Sequence, residues 1–376
     1  MFQHFEMGPI RPPSEAGSLL IRVTRNCPWN RCTFCPVYKG EDFSLRDTDD
    51  IIADIDTMAG IAEDLRQLSR DQGSGGQMTP AVVRQLLFRE GQGLQVATFL
   101  AHGGQGAFLQ DADSLVVKPP QLERILRHLK LRFPSLERIT TYARSRTLLS
   151  RSVEQLESLR EAGLTRVHVG LESGNDDVLT FMKKGVTGAQ QVEGCTRVMQ
   201  AKLELSCYVM PGLGGQRWTQ AHAKDTARVL SAIAPDFIRL RTLAILPGSP
   251  LDAAQQSGEF EALSDLEIVE EIRRFIEALE EIPTYLASDH VLNLLGDLEG
   301  QLPKEKQALL GMVDTFLGLD DETRELFIIG RRVGLVHRPI DLFDEGIRER
   351  LVHAREQARK MPGGVKGALG VRYDLL

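Results

Sequence analysis

The sequence has 376 residues, which is enough for one large α/β domain with an appendage or for two ordinary domains. Hydrophobic residues make up 42% and charged residues 26%, as in globular proteins, and the net charge of −7 excludes a global positive field that would recruit nucleic acid or an anionic membrane. Five cysteines are too few, and odd in number, for a secreted disulfide framework.

The first residues show no basic stretch followed by an apolar one, so we expect no signal peptide. No apolar run approaches the roughly 18 residues that a membrane span requires. With the sparse cysteines, this predicts a cytoplasmic protein that has reduced thiols and no membrane partner. The acidic balance also disfavours nucleic acid as a partner, although a local basic patch would be compatible with one.

In the first third of the chain, short apolar runs alternate with amphipathic stretches. The run SLLIRV (18–23) predicts a strand that leads directly into the loop RNCPWNRCTFCPVYKG (25–40). Apolar residues three and four apart, with acidic residues in the first turn, predict a helix over 47–68. Further along, the pattern predicts a helix from about Pro80, a strand over 106–110 and a helix over 119–133.

From residue 137 onward the alternation becomes regular. Strands are predicted over 137–143, 165–171, 203–210 and 236–243, and helices over 152–163, 186–201 and 219–234. Strands that alternate with helices of this length indicate βαβ units and a parallel sheet, so the fold class is α/β. Six strands are fewer than the eight of a closed barrel, so we expect an open or partial barrel with its chemistry at the carboxyl ends of the strands.

After residue 250 the pattern changes. A strong amphipathic helix is predicted over 263–282, and most of the remaining chain also reads as helical. We therefore expect a core over residues 1–250 and a helical C-terminal extension over 251–376.

The loop after the first strand contains Cys27, Cys32 and Cys35 in a C-x4-C-x2-C arrangement. A zinc site would need a fourth ligand, and no His or Cys follows at finger-like spacing. Chance clustering of three among five cysteines is improbable. An iron–sulfur cluster suits thiolate ligands, and three ligands would leave one iron open for chemistry.

The order of the motifs resembles that of the radical S-adenosylmethionine (radical SAM) superfamily. That family places three cysteines, usually as C-x3-C-x2-C with an aromatic residue before the last, after the first strand of a partial (β/α)6 barrel. Phe34 occupies the aromatic position here, whereas the interval between Cys27 and Cys32 is one residue longer. The resemblance covers about residues 18–250. Within the family, the chain is similar to the Elongator-type, oxygen-independent coproporphyrinogen oxidase and magnesium-protoporphyrin cyclase-like branches.

Four further stretches carry the resemblance at the ends of later strands. They are FLQDAD (108–113), VHVGLESG (167–174), YVMPGLGG (208–215) and RLRTLAILPGSPL (239–251). The second resembles the fourth-strand motif of the family, whose polar groups approach the SAM ribose or carboxylate. The third resembles the fifth-strand motif, whose glycines let the backbone approach adenine.

The resemblance implies a [4Fe–4S] cluster and SAM as cofactors, and an enzyme that cleaves SAM reductively to begin radical chemistry on a small-molecule substrate. A reductant such as flavodoxin or ferredoxin would supply the electron. The implied cluster ligands are Cys27, Cys32 and Cys35. The implied cofactor-binding residues are Phe34, Gln110, Asp111, Asp113, Arg144, Glu172, Ser173, Gly212 and Gly214.

Each of these residues also has a structural interpretation. Phe34 could belong to the core, the aspartates to a solvated turn, and Glu172 and Ser173 to a helix cap. Beyond the resemblance, Ser288, Asp289, His290 and Asn293 are candidates for a substrate pocket or for helix caps.

The remaining two cysteines, Cys195 and Cys207, fall in a predicted helix and strand and are expected to be buried. Two cysteines cannot hold a second cluster, which argues against methylthiotransferase-like relatives. The alternatives to a radical SAM enzyme are an iron–sulfur electron carrier and a zinc-stabilised α/β binding protein.

Overall fold

The computed structural model describes residues 4–80, 82–83 and 92–360. The strands in this part are β1 (Leu19–Arg22), β2 (Thr24–Arg25), β3 (Ser44–Leu45), β4 (Gly106–Gln110), β5 (Arg138–Ala143), β6 (Arg166–Glu172), β7 (Glu204–Val209), β8 (Phe237–Leu240), β9 (Tyr285–Ala287) and β10 (Gly300–Gln301).

The helices of the described residues connect these strands and fill the C-terminal third. They are α1 (Thr48–Asp71), α2 (Gln92–Ala101), α3 (Pro119–Arg132), α4 (Ser145–Leu148), α5 (Val153–Ala162), α6 (Asp176–Phe181), α7 (Gly188–Gln200), α8 (Gly215–Ile233), α9 (Pro250–Gln256), α10 (Asp265–Ala278), α11 (Lys306–Leu317), α12 (Asp321–Arg332) and α13 (Glu345–Arg359). No helix in the described ranges is both long and apolar enough to cross a bilayer.

Local sequence explains where several helices begin and end. Asp47 caps α1 by accepting a hydrogen bond from the Asp49 amide at 2.8 Å. Ser152 and Gln155 form a reciprocal capping box at the start of α5. Gly163 ends the same helix with a φ of 122°, in the region that favours glycine.

The chain divides into two compact units. One contains residues 1–30, 37–170 and 193–206, and the other contains residues 31–36, 171–192 and 207–376.

In the first unit, β1, β4, β5 and β6 lie side by side in that order, and each neighbouring pair is parallel. Helix α1 packs against α3, and α3 packs against α5. The short strands β2 and β3 pair antiparallel, with Thr24 opposite Leu45 and Arg25 opposite Ser44. This pairing joins the two ends of the cysteine-containing segment.

In the second unit, β8 pairs in parallel with β9, and β9 pairs antiparallel with β10. Helix α10 packs against both α8 and α11. An apolar cluster of this unit includes Val178, Met182, Met210, Leu213, Leu251 and Phe260, and Phe34 packs against it.

The structure confirms the six predicted strands and the α/β class. The strand over 106–110 has the predicted bounds, and α8 begins four residues before the predicted start at 219. The helix expected from about Pro80 falls partly outside the described residues, and so does the end of the extension beyond 360.

The expectation of a mostly helical C-terminal extension missed two strands. Residues 285–287 add a parallel strand beside β8, and residues 300–301 add an antiparallel strand beside β9. Both strands are too short to show a period of two in the sequence, and their formation depends on pairing with partners that are distant along the chain.

Candidate functional site

The loop that contains the cysteines is held closed by two asparagines. Asn26 and Asn30 have φ values of 66° and 45°, in the left-handed region that asparagine tolerates better than most residues. The Asn26 side chain donates to the Asp42 carbonyl at 2.6 Å, and the Asn30 side chain donates to the Glu41 carbonyl at 3.2 Å. These bonds connect the beginning of the loop with its return segment.

The three cysteines of the loop are half-buried, and none of them is in a disulfide. The amide of Asn30 donates to Cys27 Sγ at 3.4 Å, the kind of hydrogen bond that tunes cluster thiolates. In the described ranges, no three or more His, Cys, Asp or Glu side chains are grouped so that they could hold a metal ion. The described residues therefore show no assembled metal site. Thiolates are the donors that an iron–sulfur cluster takes, and the assignment of Cys27, Cys32 and Cys35 as its ligands stays a prediction.

The residues around Phe34 are fixed by the backbone of the second unit. Thr33 donates from its amide to the Met182 carbonyl at 3.1 Å, and its own carbonyl accepts from the Leu251 amide at 3.2 Å. The Thr33 hydroxyl donates to Met182 Sδ at 3.2 Å. Segment 31–36 is thus attached to the ends of α6 and α9.

Asp111, at the carboxyl end of β4, is fully buried and anchors the start of the cysteine loop. Its Oδ2 accepts from Arg22 Nε at 3.0 Å, from Arg22 Nη2 at 2.8 Å and from the Asn26 amide at 2.9 Å. Burial raises the pKa of this carboxyl, although the Asn26 amide and the Arg22 guanidinium oppose the shift. The bonds tie the tip of β4 to the end of β1 and to the residue that precedes Cys27.

The N-terminal segment covers the same strand tip. Gln110 accepts from the Gly8 amide at 2.9 Å and donates to the Gly8 and Ile10 carbonyls at 3.1 and 2.7 Å. A Cβ at Gly8 would lie 1.8 Å from Asp111 Oδ1, so only glycine fits there. The predicted cofactor residues Gln110 and Asp111 therefore lie together, and both are engaged in contacts within the chain.

Asp113 and Arg144 lie at the neighbouring tips of β4 and β5. Asp113 is fully buried and accepts a hydrogen bond from the Thr147 hydroxyl. Burial raises the pKa of its carboxyl to about 6, and the nearby Arg144 charge limits the rise. The Arg144 guanidinium also lies 4.8 Å from the centre of the Trp29 ring, which is a cation–π contact.

The difference in free energy of unfolding between Asp113→Asn and the wild type is expected to become more favourable to the variant as pH rises from acidic to neutral. The pKa of Asp113 is 3.8 in the unfolded chain and about 6 in the fold, so the folded state binds more protons between these values. The wild type therefore loses stability as pH rises through this range, and about 2 kcal/mol of that loss falls between pH 4.5 and 7.5. Asp113→Asn escapes the loss. Urea unfolding of both proteins at pH 4.5 and 7.5 measures the difference.

The control for that measurement is Asp64→Asn, because Asp64 is an exposed residue of α1. Its free energy of unfolding should differ from that of the wild type by the same amount at both pH values. An equal difference at the two pH values for Asp113→Asn as well would contradict the assigned pKa.

Glu172 ends β6 in the second unit and pairs with a lysine that the sequence analysis missed. Its φ is 66°, an uncommon conformation for a residue with a side chain. Lys184 Nζ lies 3.2 Å from Glu172 Oε1 and 5.7 Å from the centre of the Phe34 ring. Two residues predicted to bind the cofactor, Phe34 and Glu172, thus both contact the Lys184 ammonium group. The sequence offered one signal for it: two lysines precede a glycine shortly after the fourth-strand motif.

Ser173 and Gly212 follow β6 and β7, and helices α8 and α10 hold both. The Ser173 hydroxyl lies 2.9 Å from Nδ1 of the buried His222. The Gly212 amide donates to Glu271 Oε1 at 2.7 Å, and that oxygen lies 3.6 Å from His222 Nε2. Gly214 packs closely on His222, because a Cβ there would lie 3.0 Å from the His222 Cβ.

Sequence reasoning also missed His222 and Glu271. Each is a polar residue on the mostly apolar, buried face of its helix, and this was the available signal. Glu271 Oε2 is buried without a hydrogen bond among the described residues. These two side chains position the turns that follow β6 and β7.

Comparison with known proteins identifies the family. The model of the radical SAM superfamily matches residues 21–227, which include the cysteine loop and the turns after β6 and β7. The chain belongs to the radical SAM superfamily. The family implies a [4Fe–4S] cluster and SAM, and it confirms the expected fold class.

Individual relatives of this radical SAM chain are distant. It is 26% identical over 258 residues to the tRNA-2-methylthio-N(6)-dimethylallyladenosine synthase of Hahella chejuensis, a match that covers 66% of this chain and 48% of that protein. The chain therefore spans about half the length of this curated relative.

Among solved structures, the coproporphyrinogen III oxidase HemN from Escherichia coli has a TM-score of 0.44 at 16% identity, with 69% of this chain and 52% of that chain covered. The radical SAM methyltransferase TsrM from Kitasatospora setae has a TM-score of 0.45 at 16% identity, with 91% and 61% covered.

Proposed function

We propose that this chain is a radical SAM enzyme that uses one [4Fe–4S] cluster to cleave SAM and begin radical chemistry on a small molecule. The observation that carries the proposal is the three-cysteine loop, which directly follows β1 within the region matched by the family. Cys27, Cys32 and Cys35 would be the ligands. All three residues are half-buried, and none of them is in a disulfide.

Cys27, Cys32 and Cys35 would hold the cluster, which in its reduced form would supply the electron for cleavage of the sulfonium C–S bond of SAM. The protein residues bind and orient SAM for this step. Lys184 is placed beside Phe34 and offers a cation for the SAM carboxylate, and Glu172 holds that cation. Arg144 is a second candidate for the carboxylate.

The glycines after β7 would let the backbone approach the adenine. Gly212 has a φ of 88°, which glycine adopts at low cost, and its amide is fixed by Glu271. Ser173, which His222 orients, lies in the preceding turn and would contact the ribose. At the carboxyl end of β4, Gln110 and Asp111 would fix the position of the cysteine loop. Asp113, in the same segment, is a candidate for binding the SAM amino group.

We place the protein in the cytoplasm, where flavodoxin or ferredoxin can deliver the electron. A small-molecule substrate agrees with the acidic balance of the chain, which disfavours nucleic acid.

Anaerobic reconstitution tests the proposed function. We expect about four iron and four sulfide per chain. The electron paramagnetic resonance spectrum of the reduced protein should change when SAM is added, and 5′-deoxyadenosine should form with dithionite as reductant. Zinc without iron would overturn the proposal in favour of a zinc-stabilised binding protein. A cluster whose spectrum does not change when SAM is added would overturn the proposal in favour of an electron carrier.

A further inference from the structure

The carboxyl ends of β8 and β9 carry a cluster of charged side chains that the proposed function does not use. Arg239 lies in β8 and Asp289 directly follows β9, and the two form an ion pair. The Arg239 side chain is only 9% exposed. Because β8 and β9 are parallel neighbours, with Arg239 opposite Ala287, the residues that follow both strands lie at the same edge.

Arg241 continues the strand on the same face as Arg239. Its amide donates to the Val209 carbonyl at 2.9 Å, which extends the strand geometry beyond Leu240. Ile238 and Leu240 alternate with the two arginines and are almost fully buried. Side chains alternate along a strand, so Arg239 and Arg241 both leave the opposite, polar face.

Among the residues that the structure describes, the Arg241 guanidinium has no acidic partner. It is half-buried, and within the described part of the chain it forms no ion pair and no side-chain hydrogen bond. The nearby carboxylate of Asp289 is already paired with Arg239. A partly buried cation without a counter-ion loses hydration and gains nothing in exchange, which makes it a favourable place for an anion.

His290 complements Arg241 as an uncharged donor. Its Nδ1 accepts a hydrogen bond from the Leu292 amide at 3.3 Å, which leaves the ring proton on Nε2. Burial and the charge of Arg241 lower the pKa of His290 to about 4, so the ring is neutral at physiological pH. Nε2 then offers an N–H group within electrostatic range of the guanidinium.

The neighbouring polar side chains do not compete for these donors. Asn293 accepts from the Thr242 amide at 2.9 Å and donates to the Leu240 carbonyl at 2.8 Å. It also donates to the Ser288 hydroxyl at 3.0 Å. Of the four residues considered for a pocket, Ser288 and Asn293 therefore build the turn, Asp289 holds Arg239, and His290 remains available.

We propose that Arg241 and His290 form a binding site for an oxyanion, a carboxylate or phosphate group, of the substrate. A guanidinium binds such groups through two parallel hydrogen bonds, and the imidazole N–H adds a third donor. The location agrees with the rule that ligands of α/β folds bind outside the carboxyl ends of parallel strands. The assignment of the anion to a substrate rests on the proposed function, whereas the anion site itself does not.

The test uses the full chain with 13C-labelled histidine and inorganic phosphate as the probe, at constant ionic strength. The spectrum of His290→Gln identifies the His290 signal. In the wild type, phosphate should shift that signal saturably, and in Arg241→Gln the apparent Kd should rise at least about tenfold because the charged donor is gone. Arg241→Lys keeps the charge and should bind with intermediate affinity.

Arg228→Gln is the matched control, since Arg228 is an exposed arginine of α8 and its loss should leave phosphate binding unchanged. A wild-type shift that does not saturate would overturn the anion site, and so would unchanged binding in an Arg241→Gln protein whose unfolding midpoint equals that of the wild type. Displacement of phosphate by methionine would assign the anion to SAM and overturn the substrate assignment. None of these measurements requires a cluster, so their failure is separate from failure of the proposed function.

Discussion

Cys32→Ala is expected to abolish both retention of the iron–sulfur cluster and reductive cleavage of SAM. Cys32 lies in the middle of the three-cysteine loop, and a cluster held by three thiolates has no spare protein ligand when one is removed. We expect iron and sulfide to fall close to zero after anaerobic reconstitution and 5′-deoxyadenosine formation to fall to the uncatalysed level. Iron analysis and chromatography of the nucleoside products measure the two effects.

Cys195→Ala is the matched control, because Cys195 is fully buried in α7. This variant removes one thiol from the same chain and should keep both cluster and SAM cleavage. If Cys32→Ala still produced 5′-deoxyadenosine at the wild-type rate, the cluster would have to lie elsewhere and the loop assignment would be wrong.

Asp111→Ala should lower the free energy of unfolding by about 3–5 kcal/mol, the usual cost of removing one partner from a buried ion pair. The change leaves Arg22 Nε, Arg22 Nη2 and the Asn26 amide without their common acceptor. Since Asn26 directly precedes Cys27, its amide should also exchange with solvent faster. Urea unfolding and amide hydrogen exchange measure the two effects.

Asp111→Asn retains one acceptor oxygen and should have a smaller effect than alanine. Asp64→Ala, on the exposed face of α1, should change stability by no more than about 0.5 kcal/mol. A loss below about 1 kcal/mol for Asp111→Ala, comparable with that control, would mean that the carboxylate does not anchor the loop.

The sequence predicts well those elements that depend on local pattern. The strand over 106–110 and the helix over 152–163 were predicted from apolar runs and from the spacing of apolar residues, and both form. Helix α8 begins earlier than predicted because the glycines before residue 219 read as a turn, whereas Gly215 is already helical. Strand β9 was missed because it forms through pairing with β8 and β10 and has no local pattern of its own.

The candidate site divides along the same line. Its residues at strand ends were predictable because the alternation of apolar runs with amphipathic stretches shows where each strand ends. Lys184, His222 and Glu271 were not found, since each acts through a partner that is remote in sequence. Gln110 illustrates the converse, because its position agrees with the motif while its amide group binds the backbone of Gly8 and Ile10.

The close contact between Gly8 and Asp111 has a practical consequence for shortened versions of the protein. Residue 8 has no room for even a methyl group, so the N-terminal segment packs tightly against the carboxyl end of β4. Trimming the chain past Ile10 would strip Gln110 of its amide partners and admit water to a carboxylate that is otherwise sealed. Experiments on cofactor binding should therefore use a protein that retains this N-terminal segment.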